Sequence, residues 1–367
     1  MIVLGTAALA LLLLTWFVYP LTLVLLARGR RAPSARFDAP PAVSVILASR
    51  DHPEQVRDRV ADLLATDHPK DRLEVVVGID PGAGHDLDAY RRLLPAGVTV
   101  VPGDGPPGKP GNLNAAVRAS RNPLLVFADT GQRFAPTAIA RLVADLAHPQ
   151  VGAVSGGYRI SQGNPVTRIY WVLERLLRRS EAALHSMVGV TGAIYAIRRE
   201  LWSDLPAGLL CDDLWVPLQI VRGGHRVLFR EDALATDPRT FTHAQEYRRK
   251  VRTQAGILQL CAWMPEVLIP GRNPIWIQFV FHKLLRMATP VFLILAVVGF
   301  LPGALRLLAR LGPALPVLLA GVAAGVLLLV ALRSGRRVLG EAAWTGVLLA
   351  APLVAAWRAA RGHWDVW

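Results

Sequence analysis

Long apolar runs occupy the two ends of the chain. The first run, Met1–Ala27, carries no charged side chain and is long enough to cross about 30 Å of hydrocarbon as a helix. Three more runs lie near the other end, at Ala288–Leu305, Leu311–Leu332 and Ala342–Trp357. This pattern predicts a multi-pass membrane protein with an N-terminal anchor and two or three C-terminal transmembrane helices.

Between these runs, short β-branched segments alternate with helical patterns. Strands are predicted at Val43–Leu47, Leu73–Ile79, Val98–Val101, Leu124–Ala128 and Val151–Ser155. Helices are predicted at Glu54–Ala65, Asp86–Leu94, Asn112–Ser120 and Pro136–Ala147. The alternation predicts an α/β domain with a mostly parallel sheet covered by helices on both sides. Such a sheet binds ligands at the carboxyl ends of its strands.

Composition and charge agree with a membrane protein. Hydrophobic residues make up 53% of the chain, and the mean hydropathy is +0.36. The formal net charge is +14, but only four of the 41 basic residues are lysine, and the arginines are dense beside the apolar runs. We therefore expect membrane lipids, and no nucleic acid, as partners. The two cysteines, Cys211 and Cys261, are too few for a disulfide framework.

The position of the arginines also predicts an orientation. Arg28, Arg30 and Arg31 follow the first apolar run, whereas a signal peptide carries its positive charge before that run. The positive-inside rule then places the central domain in the cytoplasm, at the inner membrane. The predicted parts are an anchor over 1–27, a linker over 28–41, the α/β domain over 42–240, interfacial amphipathic helices over 241–286 and transmembrane helices over 287–367.

A glycine-rich segment follows the third predicted strand. Gly103–Lys109 contains both G-x-G-x-x-G and G-x-x-x-x-G-K, the patterns of two nucleotide-binding loops. Pro106 and Pro107 lack the backbone N–H groups that hold phosphate in such loops, and Pro110 stands where a magnesium-binding hydroxyl is needed. We interpret the segment as a surface turn.

Seven motifs occur in the order that one enzyme family shows. They are Val43–Leu47, Asp67–Glu74 running into Asp80, Gly108–Asn114, Val126–Asp129, Thr191–Arg199, Cys211–Pro217 and Glu246–Arg252 with Gly256. In these motifs the chain resembles the membrane-anchored glycosyltransferases of family 2, which are related to processive polysaccharide synthases. The resemblance extends from Ala42 to Gly256 and implies a GT-A domain that binds a nucleotide-sugar.

The resemblance implies roles for individual residues. Asp80 contacts the uracil or ribose of a UDP-sugar, Lys109 and Asn114 lie near the nucleotide, Asp129 opens the family's Asp-x-Asp motif, and Asp213 is the catalytic base. The candidate catalytic residues are Asp213 and Asp212, and the candidate substrate-binding residues are Ser49, Asp80, Lys109, Asn114, Asp129, Trp215, Arg249 and Arg252.

Sugar transfer requires groups of these kinds. The two phosphates of a nucleotide-sugar gain negative charge as the glycosidic bond breaks, so the site needs a metal ion, arginines or helix N-termini near them. The acceptor hydroxyl becomes a good nucleophile when a carboxylate takes its proton. A single base without a covalent intermediate predicts inversion at the anomeric carbon. The expected acceptor is lipid-linked or a polysaccharide.

The metal motif departs from the family pattern. Gly131 stands where the second carboxylate of Asp-x-Asp usually meets a divalent ion. Mg²⁺ or Mn²⁺ held by Asp129, phosphate oxygens and water is one interpretation. Basic residues in place of the ion are another, and an inactive relative that serves as a membrane partner is a third.

A second departure concerns the acceptor. Processive relatives carry Gln-x-x-Arg-Trp, and this chain reads Arg249-x-x-Arg252-Thr253. The missing tryptophan counts against the synthesis of long polymers. A polyprenyl-phosphate sugar synthase is an alternative, because its acceptor phosphate needs no proton removed at neutral pH.

Overall fold

The computed structural model describes residues 1–160, 165–310, 312 and 333–364. These residues form two compact units. The larger unit contains residues 23–242 and 259–279, and the smaller contains 1–22, 243–258 and the described residues from 280 onward. The predicted span Leu311–Leu332 lies outside the described residues, except for Gly312.

One sheet forms the centre of the larger unit. In the described part of the chain it has eight strands: β1 Val43–Ser49, β2 Leu73–Ile79, β3 Thr99–Pro102, β4 Leu124–Ala128, β5 Arg133–Phe134, β6 Val151–Ile160, β7 Ile194–Arg198 and β8 Arg226–Asp237. Their order is β3-β2-β1-β4-β7-β6-β8-β5. The first four strands of this order are parallel, and so are β6 and β8. β7 is antiparallel to β4 and β6, and β5 is antiparallel to β8.

The helices of both units follow in chain order. They are α1 Ile2–Leu13, α2 Tyr19–Ala27, α3 Pro53–Leu64, α4 Leu87–Leu93, α5 Lys109–Ala119, α6 Ala138–Ala144, α7 Pro165–Leu184, α8 Asp212–Arg222, α9 His243–Trp263, α10 Trp276–Phe279, α11 Thr289–Arg310 and α12 Arg333–Ala360. Helix α3 shows why these segments fold as they do. Pro53 starts it without losing a hydrogen bond, and Val56, Val60 and Leu63 bury one face in the core.

The predicted α/β class with a mostly parallel sheet is confirmed. β2 and β4 have the predicted bounds, β1 extends two residues further to Ser49, and β6 extends to Ile160. The sequence patterns missed β5, β7, β8 and α7. β7 has only five residues, and the charged stretch Arg230–Asp232 interrupts the hydrophobic pattern of β8. The local sequence pattern therefore gives little indication that these segments form strands.

Most of the residues in the long apolar helices belong to the smaller unit. A π-helical segment, Leu14–Val18, joins α1 to α2, so that Ile2–Ala27 is one helix. This helix and α11 are, among the described residues, the two that are long and apolar enough to cross a membrane. The apolar part of α12, Gly346–Ala360, is shorter. α1 and α11 pack closely at Gly5 and Gly299, where a Cβ on Gly299 would lie 2.4 Å from Cα of Gly5.

Candidate active site

Polar residues gather at the carboxyl edge of the parallel strands. Ser49 ends β1, Asp80 follows β2 and Asp129 follows β4, and because these strands are parallel their ends meet at the same edge. β7 runs the opposite way and pairs Ile194 with Ala128, so its first residue lies at this edge as well. The edge is the place where sheets of this type bind ligands.

A lysine joins two carboxylates at this edge. Lys109 is the first residue of α5, and its Nζ lies 3.2 Å from Oδ1 of Asp129 and 3.1 Å from Oδ2 of Asp212. Burial alone would lower the pKa of Lys109, but the negative charges of Asp129, Asp212 and Asp213 outweigh it and raise that pKa above its ordinary value. Lys109 therefore stays protonated and holds together carboxylates from distant parts of the chain.

The adjacent acidic pair begins α8. Asp212 and Asp213 lie in its first turn, where the helix dipole favours negative charge. The backbone N–H of Val190 donates to the carbonyl oxygen of Asp213 at 2.9 Å, which ties this turn to the segment before β7. A Cβ on Gly192 would lie 3.4 Å from Cβ of Asp213 and 3.7 Å from Nζ of Lys109. The lack of a side chain at Gly192 therefore leaves space beside both groups.

A buried arginine binds the backbone at the end of β4. The Arg59 side chain is fully buried, and its Nε donates to the carbonyl oxygen of Asp129 at 2.9 Å. It also pairs with Asp62, and its guanidinium lies 4.3 Å from the ring centroid of Phe134. Burial lowers the pKa of Arg59 to about 10, against the opposing effect of Asp62, so the group remains charged at neutral pH. Sequence reasoning missed it, although Arg59 stands between Val56 and Leu63 on the apolar face of α3.

A buried tyrosine lies near the acidic groups. Tyr195 on β7 is 0% exposed, and its ring stacks on Phe127 with the centroids 4.4 Å apart. Among the described residues its hydroxyl has no hydrogen-bond partner. Burial raises the pKa of Tyr195 well above its ordinary value, and Asp212, Asp213 and Asp129 add to that shift. The hydroxyl therefore remains protonated.

Arg239 occupies the space next to Gly131. A Cβ on Gly131 would lie 2.0 Å from Cζ of Arg239 and 2.1 Å from its Nη1. The backbone N–H and Nε of Arg239 donate to Oδ1 of Asp237 at 3.0 and 2.9 Å, and Nη2 donates to Oδ2 at 2.8 Å. Asp237 is fully buried and also accepts hydrogen bonds from Gln132 and Tyr158, at 2.9 and 2.6 Å. A cation thus stands where the family's second carboxylate would be.

Two residues expected at the nucleotide bind parts of the protein. The buried carboxylate of Asp80 accepts hydrogen bonds from the N–H of Gly82 at 2.8 Å and from the N–H of Gly108 at 2.7 Å, which fixes the loops on either side of it. Gly108 has a φ of 150°, which favours glycine at the start of α5. Asn114 donates to the carbonyl of Leu205 and accepts from its N–H, both at 2.9 Å, so its amide is engaged by the backbone.

The other predicted residues lie in different surroundings. The Ser49 hydroxyl accepts a hydrogen bond from Thr130 at 3.0 Å, beside the Asp129 backbone. Trp215 is buried in α8, and its indole N–H has no hydrogen-bond partner within the described ranges. Arg249 and Arg252 lie on α9, in the smaller unit, and their roles stay predictions.

The donor set for a metal ion is small at this edge. Over residues 1–160, 165–310, 312 and 333–364, no three His, Cys, Asp or Glu side chains form a group that could hold a metal ion. Asp129, the predicted ligand, already pairs with Lys109.

Known proteins share the sequence pattern and the fold. The family described as "Glycosyltransferase like family 2" matches residues 40–256. The mannosyltransferase PcManGT from Pyrobaculum calidifontis, solved in complex with GDP-Man and Mn²⁺, is 24% identical with a TM-score of 0.70, over 97% of this chain and 98% of that chain.

Two other solved structures are more distant. A mycobacterial protein is 22% identical with a TM-score of 0.40, over 66% of this chain and 77% of that chain. TarS from S. aureus in complex with UDP-GlcNAc is 17% identical with a TM-score of 0.38, over 59% and 66%. No curated protein matches the sequence. The fold comparison therefore rests on the first structure.

Proposed function

The chain belongs to glycosyltransferase family 2 and is a glycosyltransferase, and from this premise we propose that it transfers a sugar, with inversion, from a UDP-sugar to a lipid-linked or polysaccharide acceptor. The observation that carries the proposal is the cluster in which Lys109 bridges Asp129 and Asp212 beside Asp213. Its position at the carboxyl edge of the sheet is where a donor binds in this type of fold.

The donor's diphosphate lies near Lys109 in this proposal. The diphosphate leaves with additional negative charge, which a nearby permanent cation stabilises. Lys109 is such a cation, because its raised pKa keeps it protonated at any physiological pH. Asp80 and Ser49 lie at the neighbouring strand ends and border the proposed nucleoside subsite.

Asp213 is the proposed catalytic base. The acceptor oxygen forms a bond to the anomeric carbon while the bond from that carbon to the diphosphate breaks, and the hydroxyl proton moves to the Asp213 carboxylate. The space left by Gly192 beside Asp213 is where an acceptor hydroxyl would approach. Asp212 has a separate role, since it holds Lys109.

The nucleotide base is the next part of the proposal. UDP follows from the sequence resemblance, and the mannosyltransferase of similar fold is described with GDP-Man. UDP-sugars and GDP-sugars therefore belong in the same assay, and a UDP-sugar is the expected donor.

Membrane attachment completes the proposal. Ile2–Ala27 and α11 are the candidate spans, and the arginines after the first of them favour a catalytic domain in the cytoplasm, at the inner membrane. After expression, the full chain should remain in the membrane pellet through a high-salt, alkaline wash. Release into the supernatant would contradict this part of the proposal.

Activity of the full-length protein tests the catalytic assignment. Purified protein, membrane lipid extract and a pool of UDP-sugars and GDP-sugars should release UDP, and Asp213→Asn should lower the rate by about 10² to 10⁴-fold. Asp204→Asn is the matched control, because Asp204 is an exposed acid that pairs with Arg118. Equal melting temperatures would show that both variants fold.

The same assay separates the alternatives. Absence of UDP and GDP release from every donor would contradict the proposed activity and favour an inactive membrane partner. If Asp213→Asn keeps most of its activity with a polyprenyl phosphate acceptor, the base is unnecessary and the polyprenyl-phosphate sugar synthase is the better assignment.

A further inference from the structure

The departure at Gly131 is linked to a specific arginine. In the Asp-x-Asp pattern, the third position carries a carboxylate that meets a divalent ion. Here any side chain at that position would overlap the guanidinium of Arg239, because a Cβ would lie 2.0 Å from its Cζ. The side chain of Arg239 is 45% exposed, so solutes can reach it.

Arg239 is held in place by a buried partner. Asp237 accepts hydrogen bonds from the backbone N–H, the Nε and the Nη2 of Arg239, and its Oδ2 also accepts from Gln132 and Tyr158. The remaining guanidinium nitrogen, Nη1, lies beside Gly131. Because Asp237 fixes the planar guanidinium, little conformational freedom remains to be lost when an anion binds.

The remaining acidic groups fit a divalent ion poorly. Asp129 is the first carboxylate of the motif, and Nζ of Lys109 lies 3.2 Å from its Oδ1. A divalent ion at Asp129 would compete with Lys109 for this carboxylate and would be repelled by the positive charge of Arg239. Two cationic side chains thus lie beside the first and third positions of the Asp-x-Asp motif, where the family pattern has two carboxylates for a divalent ion.

We propose that Arg239 takes the place of the divalent ion, so that Arg239 and Lys109 together bind the donor's diphosphate and transfer needs neither Mg²⁺ nor Mn²⁺. This inference rests on the proposed function. When the bond from the anomeric carbon to oxygen breaks, its electron pair goes to the β-phosphate oxygen. Both cations keep their protons and stabilise that charge through charge-assisted hydrogen bonds.

Nucleotide binding tests the proposal directly. UDP and GDP are titrated calorimetrically into the full-length protein in EDTA and again with Mn²⁺. The wild type should bind one of them with a Kd that Mn²⁺ changes by less than about 3-fold, which is under 1 kcal/mol. Arg239→Gln can still donate to Asp237 but has no charge, and should weaken binding about 10- to 100-fold.

Two further variants separate charge from structure. Arg239→Lys retains the charge and should recover part of the lost affinity. Arg141→Gln is the matched control, because Arg141 is an exposed arginine that pairs with Asp232 on the surface, and it should bind like the wild type. Melting temperatures measured alongside would show whether loss of the contact with Asp237 unfolds the domain.

Exchanging the arginine for a carboxylate should make nucleotide binding depend on a metal ion. Gly131→Asp combined with Arg239→Ala removes the cation and restores the second carboxylate, so nucleotide binding should become weak in EDTA and recover with Mn²⁺. An unchanged Kd in Arg239→Gln, or wild-type binding that requires Mn²⁺, overturns the inference and leaves the proposed function standing. Failure to bind UDP and GDP in both conditions overturns both.

Discussion

The two halves of the sheet bring residues to the same edge in different ways. In the parallel half, β1 to β4, the polar residues stand directly after strands, and Asp80 is held by nearby loops through Gly82 and Gly108. In the mixed half, β6 to β8, the charged residues Asp237 and Arg239 pair with each other and contact the segment that follows β4. Asp237 at the end of β8 accepts a hydrogen bond from Gln132, 105 residues away in sequence. The parallel half supplies the common donor-binding edge, and the mixed half alters it.

Lys109 and Arg239 show what this difference means for the chemistry. Lys109 comes from the parallel half and contacts Asp212 of α8. Arg239 follows the end of β8 in the mixed half and lies against Gly131, in the segment after β4 of the parallel half. The cations proposed to bind the diphosphate thus come from opposite halves, so the charge at the edge depends on both halves folding together.

Removing Arg59 should have the largest effect on stability. Arg59→Met leaves Asp62 without its ion-pair partner and the Asp129 carbonyl without its side-chain donor, in a place where the arginine is fully buried. Loss of one partner from a buried ion pair predicts a decrease of about 4 kcal/mol in the free energy of unfolding. Chemical denaturation of the full chain in detergent, followed by intrinsic fluorescence, measures it.

Arg57 provides the control on the same helix. Arg57 and Asp58 pair at the surface with side chains 47% and 55% exposed, so Arg57→Met should change stability by less than about 1 kcal/mol. Equal effects of the two substitutions would show that Arg59 does not support the end of β4 in the way its contacts indicate.

Asp237 tests the mixed half through pH. Burial alone would raise the pKa of Asp237, but hydrogen bonds from Arg239 and Tyr158 outweigh it and hold that pKa below its ordinary value. A lowered folded-state pKa means that the ionised group stabilises the fold above the unfolded-state pKa of about 3.9, and that this stability is lost as the pH falls below it. Asp237→Asn should cost about 2 kcal/mol at pH 7.

The stability difference between the wild type and Asp237→Asn should decrease as the pH falls. The stability curves of the wild type and Asp237→Asn should converge as the pH falls below about 4, since only the wild type has this carboxylate to protonate. Asp232→Asn is the control, because Asp232 is 45% exposed and pairs with surface arginines. A constant difference between the two curves at every pH would exclude the ionised carboxylate as the cause.

Sequence reasoning succeeded where structure follows local pattern. β2 and β4 lie at their predicted bounds because buried parallel strands are continuous apolar runs, and Asp129 directly follows β4. No local sequence pattern pointed to Arg239, because its proposed role depends on the contact that the turn after β8 makes with Gly131. The sequence showed that Gly131 departs from the family pattern, but it did not show which side chain occupies the space beside this glycine.

The contacts of Asn114 could not be predicted from the motif that contains it. The resemblance implies that it lies near the nucleotide, whereas both of its amide atoms bind the backbone of Leu205, 91 residues away in sequence. Asn114→Ala should therefore lower the free energy of unfolding by about 1 kcal/mol and leave the Kd for nucleotide within about 2-fold.

Lys109, on the same helix, should differ from Asn114 in its effect on nucleotide binding. Lys109→Met removes the cation at the diphosphate and should weaken nucleotide binding by at least about 10-fold, because a charge-assisted hydrogen bond is lost. Calorimetry and denaturation of both variants measure the contrast. If Asn114→Ala weakens nucleotide binding as much as Lys109→Met, the amide supports the donor site more directly than its contacts with Leu205 indicate.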